Sequence, residues 1–100
     1  MSEELEMQKG KDVIFEQLKQ FLSEMIGEDV VEEMDITGRT IFSKDLELSS
    51  IEIVTLAEKV NSYYGKNLDF SSWLYSLKLN ALINLSVDDV VNFISESVDN

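Results

Sequence analysis

Apolar residues return every three or four positions in three separate stretches of this chain, and that spacing points to an all-helical fold. In the first stretch, Ile14, Leu18, Phe21, Leu22 and Met25 are separated by Glu16, Lys19, Gln20 and Glu24. This places one apolar stripe along an amphipathic helix over 11–26, and Gly27 is positioned to end it. In the second, two serines precede Ile51, Ile53, Leu56, Ala57, Val60 and Tyr64, with Gly65 as the stop. In the third, Ser86 caps a helix whose apolar face is Val87, Val90, Val91 and Ile94, and Asp88 and Asp89 suit its positive N-terminus. No Asn-Gly or Asp-Gly hairpin signal interrupts the pattern, and the chain has no proline. With 100 residues it has material for one core. The expected architecture is all-α, a small three- to four-helix bundle.

The stretches between these helices are less regular. Residues 1–10 read as a flexible tail that Gly10 separates from the folded unit over 11–97, and 98–100 are expected to fray. Glu28 to Lys44 reads as a long first loop with one short helical turn near Val30 to Met34. Val31, Met34, Ile36, Ile41 and Phe42 are expected to pin this loop to the core; an irregular connection of this length is often functional. Leu68 to Leu85 is rich in leucine and aromatics, with Ser71 or Ser72 capping a short helix over 72–79. Trp73 within it reads as packed.

Composition removes whole classes of function. The chain has neither cysteine nor histidine, which eliminates thiolate nucleophiles, Ser–His pairs and the usual zinc ligand sets. The acids Glu28, Asp29, Glu32, Glu33 and Asp35 lack the spacing of a calcium loop, so no metal site is expected. No paired carboxylates flank a nucleophile, and no catalysis is expected. A net charge of −12 disfavours nucleic acid and favours basic protein surfaces. The charge is uneven, since residues 1–35 carry eleven acidic against three basic side chains. No stretch is long and apolar enough for a membrane span, and no secretory leader is visible, so a cytoplasmic monomer is expected.

The element that bears on function is Phe42-x-x-Asp45-Leu46-x-Leu48-Ser49-Ser50-Ile51, which runs into the helix ending at Tyr64-Gly65. It resembles the signature of acyl carrier proteins, in which a loop carrying Asp-Leu-Gly leads to Asp-Ser-Leu and the serine opens the second helix. The helix order matches that family over nearly all of residues 11–97. The resemblance implies that Ser50 carries 4′-phosphopantetheine, donated by coenzyme A through a phosphopantetheinyl transferase that uses Mg²⁺. A thiol at the end of the arm would then hold an acyl or aminoacyl group as a thioester for acyl-transferring or condensing enzymes. It also implies that Ile51 touches those partners beside the arm, with Glu52 and Glu58 as recognition charges.

Ser50 rather than Ser49 is the implied attachment residue, because the family serine is followed directly by Leu or Ile. Ser49 then stands in place of the family aspartate, and Glu47 in place of a glycine. Thr55, Asn61 and Ser62 occupy positions where members serving fatty acid synthesis carry acids. These departures favour a dedicated pathway, whether polyketide, nonribosomal peptide or specialised lipid assembly, over bulk fatty acid synthesis. The length and the N-terminal tail suggest a free-standing chain. The competing reading is an unmodified acidic helical adaptor that binds a basic protein through residues 1–35. Ile53, Leu56, Ala57 and Val60 are expected either as core or as a lining into which an acyl chain inserts.

Overall fold

The computed structural model describes the backbone over residues 3–65 and 68–98, and side chains over 10–65 and 68–97. Six helices follow in order: α1 (Glu3–Ile26), α2 (Glu28–Met34), α3 (Ser50–Tyr64), α4 (Phe70–Ser76), α5 (Leu79–Ile83) and α6 (Val87–Val98). No strand occurs among the described residues; the one sheet-like feature is an isolated bridge between Ile41 and Ser86. The molecule is a small helical bundle, as the periodicity requires. No helix among the described residues is long and apolar enough to cross a membrane.

α1 packs on α2, α3 and α6, and α3 packs on α4. The stripes expected from the sequence face inward. Ile14, Leu18, Phe21 and Leu22 of α1, Leu56, Ala57 and Val60 of α3, and Val87, Val90, Val91 and Ile94 of α6 are all buried in one cluster. Gly27 and Gly65 end α1 and α3 with φ of 104° and 90°, where a side chain would be strained. Ser86 does cap α6. Its hydroxyl accepts from the Asp89 N–H at 3.2 Å while its own N–H donates to Asp89 Oδ2 at 3.1 Å, a reciprocal box that satisfies two otherwise unpaired donors.

Several local expectations are corrected. α1 begins at Glu3, so the stretch 3–10 is helix rather than tail and Gly10 lies inside it. The run 3–9 is made of strong helix formers, whose summed propensity outweighs the cost of about 1 kcal/mol for one glycine. Residues 1 and 2, and 99 and 100 of the expected frayed end, lie outside the described residues. The short helix expected over 72–79 is two helices, with extended backbone at Leu77 and Lys78 between them. Its cap is Asp69, whose carboxylate accepts from the Ser72 N–H at 3.3 Å, and not Ser71 or Ser72. Of the residues expected to pin the long loop, Val31, Ile36 and Phe42 are buried and Ile41 is half-buried, but Met34 is 42% exposed on the outer face of α2.

The loop from Ile36 to Ser49 is irregular but tightly held. It runs beside the segment that leads into α6. Phe42 N–H donates to the Leu85 carbonyl (3.1 Å), Val87 N–H to that of Thr40 (2.9 Å) and Asp88 N–H to that of Gly38 (2.8 Å). Ser43 Oγ donates to the Ile83 carbonyl at 2.6 Å, and Lys44 Nζ to Asn84 Oδ1 at 2.7 Å. Phe42, Leu46 and Leu48 are buried beneath this seam, giving an irregular segment the apolar anchors that offset its ordering entropy. Phe42→Ala should therefore destabilise the fold by about 3–5 kcal/mol, measured by urea unfolding. A loss below 1 kcal/mol would mean that the loop does not depend on this anchor.

Candidate functional site

The site is the junction of the anchored loop and α3. Asp45 organises it: its Oδ2 accepts from the Ile41 N–H at 2.8 Å, and its own N–H donates to the Ile41 carbonyl at 2.8 Å. The chain then turns back, with Leu48 N–H donating to the Phe42 carbonyl at 3.0 Å. Between them Glu47 has φ 54°, the left-handed region that favours glycine. This is the position at which the resemblance expects glycine, so the backbone keeps a glycine-type turn although the side chain is glutamate.

The two serines have different roles. Ser49 is the N-cap: its Oγ accepts from the Glu52 N–H at 3.2 Å, and its N–H donates to Glu52 Oε1 at 3.0 Å. The Ile53 N–H is taken by the Ser49 carbonyl at 3.0 Å. Ser50 is the first residue of the helix proper, and it is exposed. Its hydroxyl has no hydrogen-bond partner among the described residues, and neither do the N–H groups of Ser50 and Ile51. An exposed hydroxyl, two open backbone donors and the positive end of a 15-residue helix fit a phosphodiester, which needs an attachment oxygen and donors for its anionic oxygens. Ser50 could thus hold a phosphopantetheine arm, which would supply the thiol that this chain lacks. Among the described residues no group of three or more acidic side chains is arranged to hold a metal ion.

The expected recognition residues divide. Ile51 is 78% exposed directly beside Ser50. Glu58 is exposed two turns further on the same helical face, about 10 Å along the axis. Glu52 is only half-exposed, and its carboxylate is engaged in the capping box. Its first task is to hold the helix start, whatever a partner sees of its charge.

Beside Ser50 a cavity of about 190 Å³ opens between α3 and the segment carrying α4 and α5. Ser50 stands in its wall, and Ile53, Val54, Ala57, Leu74 and Leu82 supply apolar surface. Of the four residues expected as core or lining, Leu56 and Val60 lie in the core, Ile53 lines the cavity, and Ala57 belongs to both. Ser71 and Tyr75 complete the wall. Asn61 fixes Ser71, since its Nδ2 donates to Ser71 Oγ at 2.8 Å while its Oδ1 accepts from the Phe70 N–H at 2.8 Å. Asn61, at a position where an acid is expected by the resemblance, thus ties α3 to α4 at the edge of the cavity. Trp73 is packed as expected, stacked on Phe93 at 4.4 Å between ring centroids. Its neighbour Tyr75 is 79% exposed, and Leu79 is 72% exposed.

Ser71, Leu74, Tyr75 and Leu82 were not singled out from the sequence as site residues. The one available signal was the surplus of apolar residues around the start of α3, where Ile51, Ile53 and Val54 cannot all face the same core. Compared with known proteins, the chain matches no family model, no curated protein and no solved structure.

The division of labour between the serines is measurable. Ser49→Ala should cost about 1 kcal/mol as a lost cap, while Ser50→Ala should stay within about 0.5 kcal/mol, as for an exposed residue without a partner. Thermal or urea unfolding of the two variants decides, and a larger loss at Ser50 would exchange their roles. Glu47→Gly should be neutral or stabilising by up to about 1 kcal/mol, because relief of left-handed strain opposes the added freedom of the unfolded chain.

Proposed function

We propose that this chain is a carrier protein. Ser50 bears 4′-phosphopantetheine through a phosphodiester, and the arm's thiol holds an acyl or aminoacyl group as a thioester. The protein does no catalysis of its own; it supplies the handle, the address and a shelter, and the chemistry belongs to the arm. The arm would be installed from coenzyme A by a phosphopantetheinyl transferase using Mg²⁺. The loaded protein would then serve acyl-transferring or condensing enzymes of fatty acid, polyketide, nonribosomal peptide or specialised lipid synthesis. A cytoplasmic monomer fits this role.

The observation that carries the proposal is the use of the two serines. Ser49 is consumed by the capping box, and Ser50 is left exposed, without a partner, at a helix start beside an apolar cavity. A cap alone needs one serine, whereas this junction keeps a second, idle hydroxyl. Ile51, exposed beside it, offers an apolar contact to whichever enzyme receives the arm. None of the charged residues described between 10 and 35 lines the cavity beside Ser50.

One observation favours the alternative of an unmodified acidic adaptor. α2 exposes Val30 and Met34 among Glu28, Asp29, Glu32 and Glu33, a mixed apolar and acidic face suited to a basic amphipathic partner.

Intact mass after incubation with coenzyme A, Mg²⁺ and a promiscuous phosphopantetheinyl transferase separates the two. The expected result is a gain of one phosphopantetheine unit that disappears in Ser50→Ala and persists in Ser49→Ala. A gain lost only in Ser49→Ala would move the attachment by one residue, and no gain on folded protein with several transferases would favour the adaptor.

A further inference from the structure

A groove between the α4–α5 segment and α6 shares no lining residue with the cavity beside Ser50. Trp73 and Leu77, one turn apart on α4, and Ala81 on α5 form one wall, and Asp89, Phe93 and Glu96 of α6 form the other. We infer that this groove is a docking site for a basic amphipathic helix of a partner protein. The helix lies along α6, with cationic side chains at i and i+7 and apolar ones at i+3 and i+4.

The spacing comes from α6 itself. Asp89, Phe93 and Glu96 stand at i, i+4 and i+7, so they share one helical face. The two carboxylates are two turns apart, about 10 Å along the axis, with Phe93 between them. Both acids are exposed, and Asp89 gives one oxygen, Oδ2, to the Ser86 N–H. The Phe93 ring stacks on Trp73 at 4.4 Å with the planes 13° apart, and Trp73, Leu77 and Phe93 are each half-buried. One part of these side chains holds α4 on α6, and the rest is apolar surface in the groove. An aromatic floor with a charged rim is how protein interfaces are built. The groove has a volume of about 310 Å³. That is roughly twice the engineered cavity of about 150 Å³ that takes up benzene, room for about two large apolar side chains.

Charge selects the occupant. Over residues 70–97 the acids Asp88, Asp89 and Glu96 stand against one base, Lys78, which does not line the groove. A second copy docked through the same groove would bring the same two carboxylates, and nucleic acid or an anionic lipid surface would bring phosphates. Like charge opposes all three. A helix with lysine or arginine at i and i+7 meets both carboxylates at once, and its i+3 and i+4 side chains enter between them. Docking there leaves the Ser50 hydroxyl open, so the inference stands whether or not Ser50 carries an arm.

Trp73 is the only tryptophan of the chain, and its emission reports on the groove directly. The probe is a blocked peptide of about sixteen residues, long enough to be partly helical in water. It has lysines at i and i+7, leucines at i+3 and i+4, and no aromatic residue. Titration should move Trp73 emission to shorter wavelength and saturate at micromolar peptide, and the same peptide with glutamate for lysine should give no shift. Asp89→Asn, which keeps an oxygen for the Ser86 N–H, and Glu96→Gln should each raise Kd about two- to fivefold at low salt. Ala81→Arg, at an exposed position of the wall, should abolish binding by filling the groove with a like charge. Glu32→Gln and Glu33→Gln on the acidic α2, and Ser50→Ala, should leave Kd nearly unchanged.

No saturable shift at millimolar peptide, or equal binding of the glutamate peptide, would overturn the inference. So would binding that survives Ala81→Arg, or that falls as much with the α2 variants as with the groove variants. Because the peptide assay does not use Ser50, its failure and a failure of the mass assay are distinguishable.

Discussion

Phe42 and the seam above it are what the rest of the site depends on. The connection between α2 and α3 has no regular structure of its own, yet it must deliver α3 in a defined position. Burial of Phe42, Leu46 and Leu48 supplies the attraction, and the bonds from 38–44 to 83–88 supply the direction. Hydrophobic burial is non-directional; hydrogen bonds are not. Together they fix where Asp45 closes its turn, and so where Ser49 begins the helix. The seam also couples this loop to the start of α6, so the presented serine is braced by the C-terminal part of the chain as well as by its own neighbours.

From that brace the local chemistry follows. A helix start leaves unpaired N–H groups. Here the capping box satisfies the N–H groups of Ser49 and Glu52, and Ser50 and Ile51 between them keep theirs open. Glutamate at position 47 is held at φ 54°, so the turn geometry survives even though the residue best suited to it is absent. Asn61 and Ser71 then add a side-chain link to the packing of α3 on α4, and the cavity opens between α3 and the α4–α5 segment. α3 carries few acids, and two of its polar side chains serve the helix itself: Asn61 ties it to α4, and Thr55 Oγ1 donates back to the Ile51 carbonyl at 3.0 Å.

The three long helices are legible in the sequence because their apolar residues repeat with a clean period and their ends carry glycine or serine. The serine pair is legible for a different reason, since a hydroxyl residue just before an apolar-periodic run marks a helix start, and Ser49 does cap α3. What escapes such reading is any feature that depends on distances between elements. In the leucine-rich stretch 68–85 every face looks apolar, so the pattern does not tell that Leu74 turns inward while Tyr75 and Leu79 turn out. The break at Leu77 and Lys78 leaves no glycine or proline to mark it. Met34 looks like an anchor by type, but the short α2 has room for one inward residue, Val31. Gly10 looks like a stop, yet the helix formers before it carry α1 through. The cavity, made by residues from three helices, has no linear signature at all.

The most direct test of the account is the mass of the peptide that contains Ser50, taken from the protein purified from its own cells under conditions that preserve thioesters. The account predicts a phosphopantetheine on Ser50, bearing in part a thioester-linked acyl or aminoacyl group. A peptide that is unmodified throughout, in cells where other carriers are loaded, would contradict it.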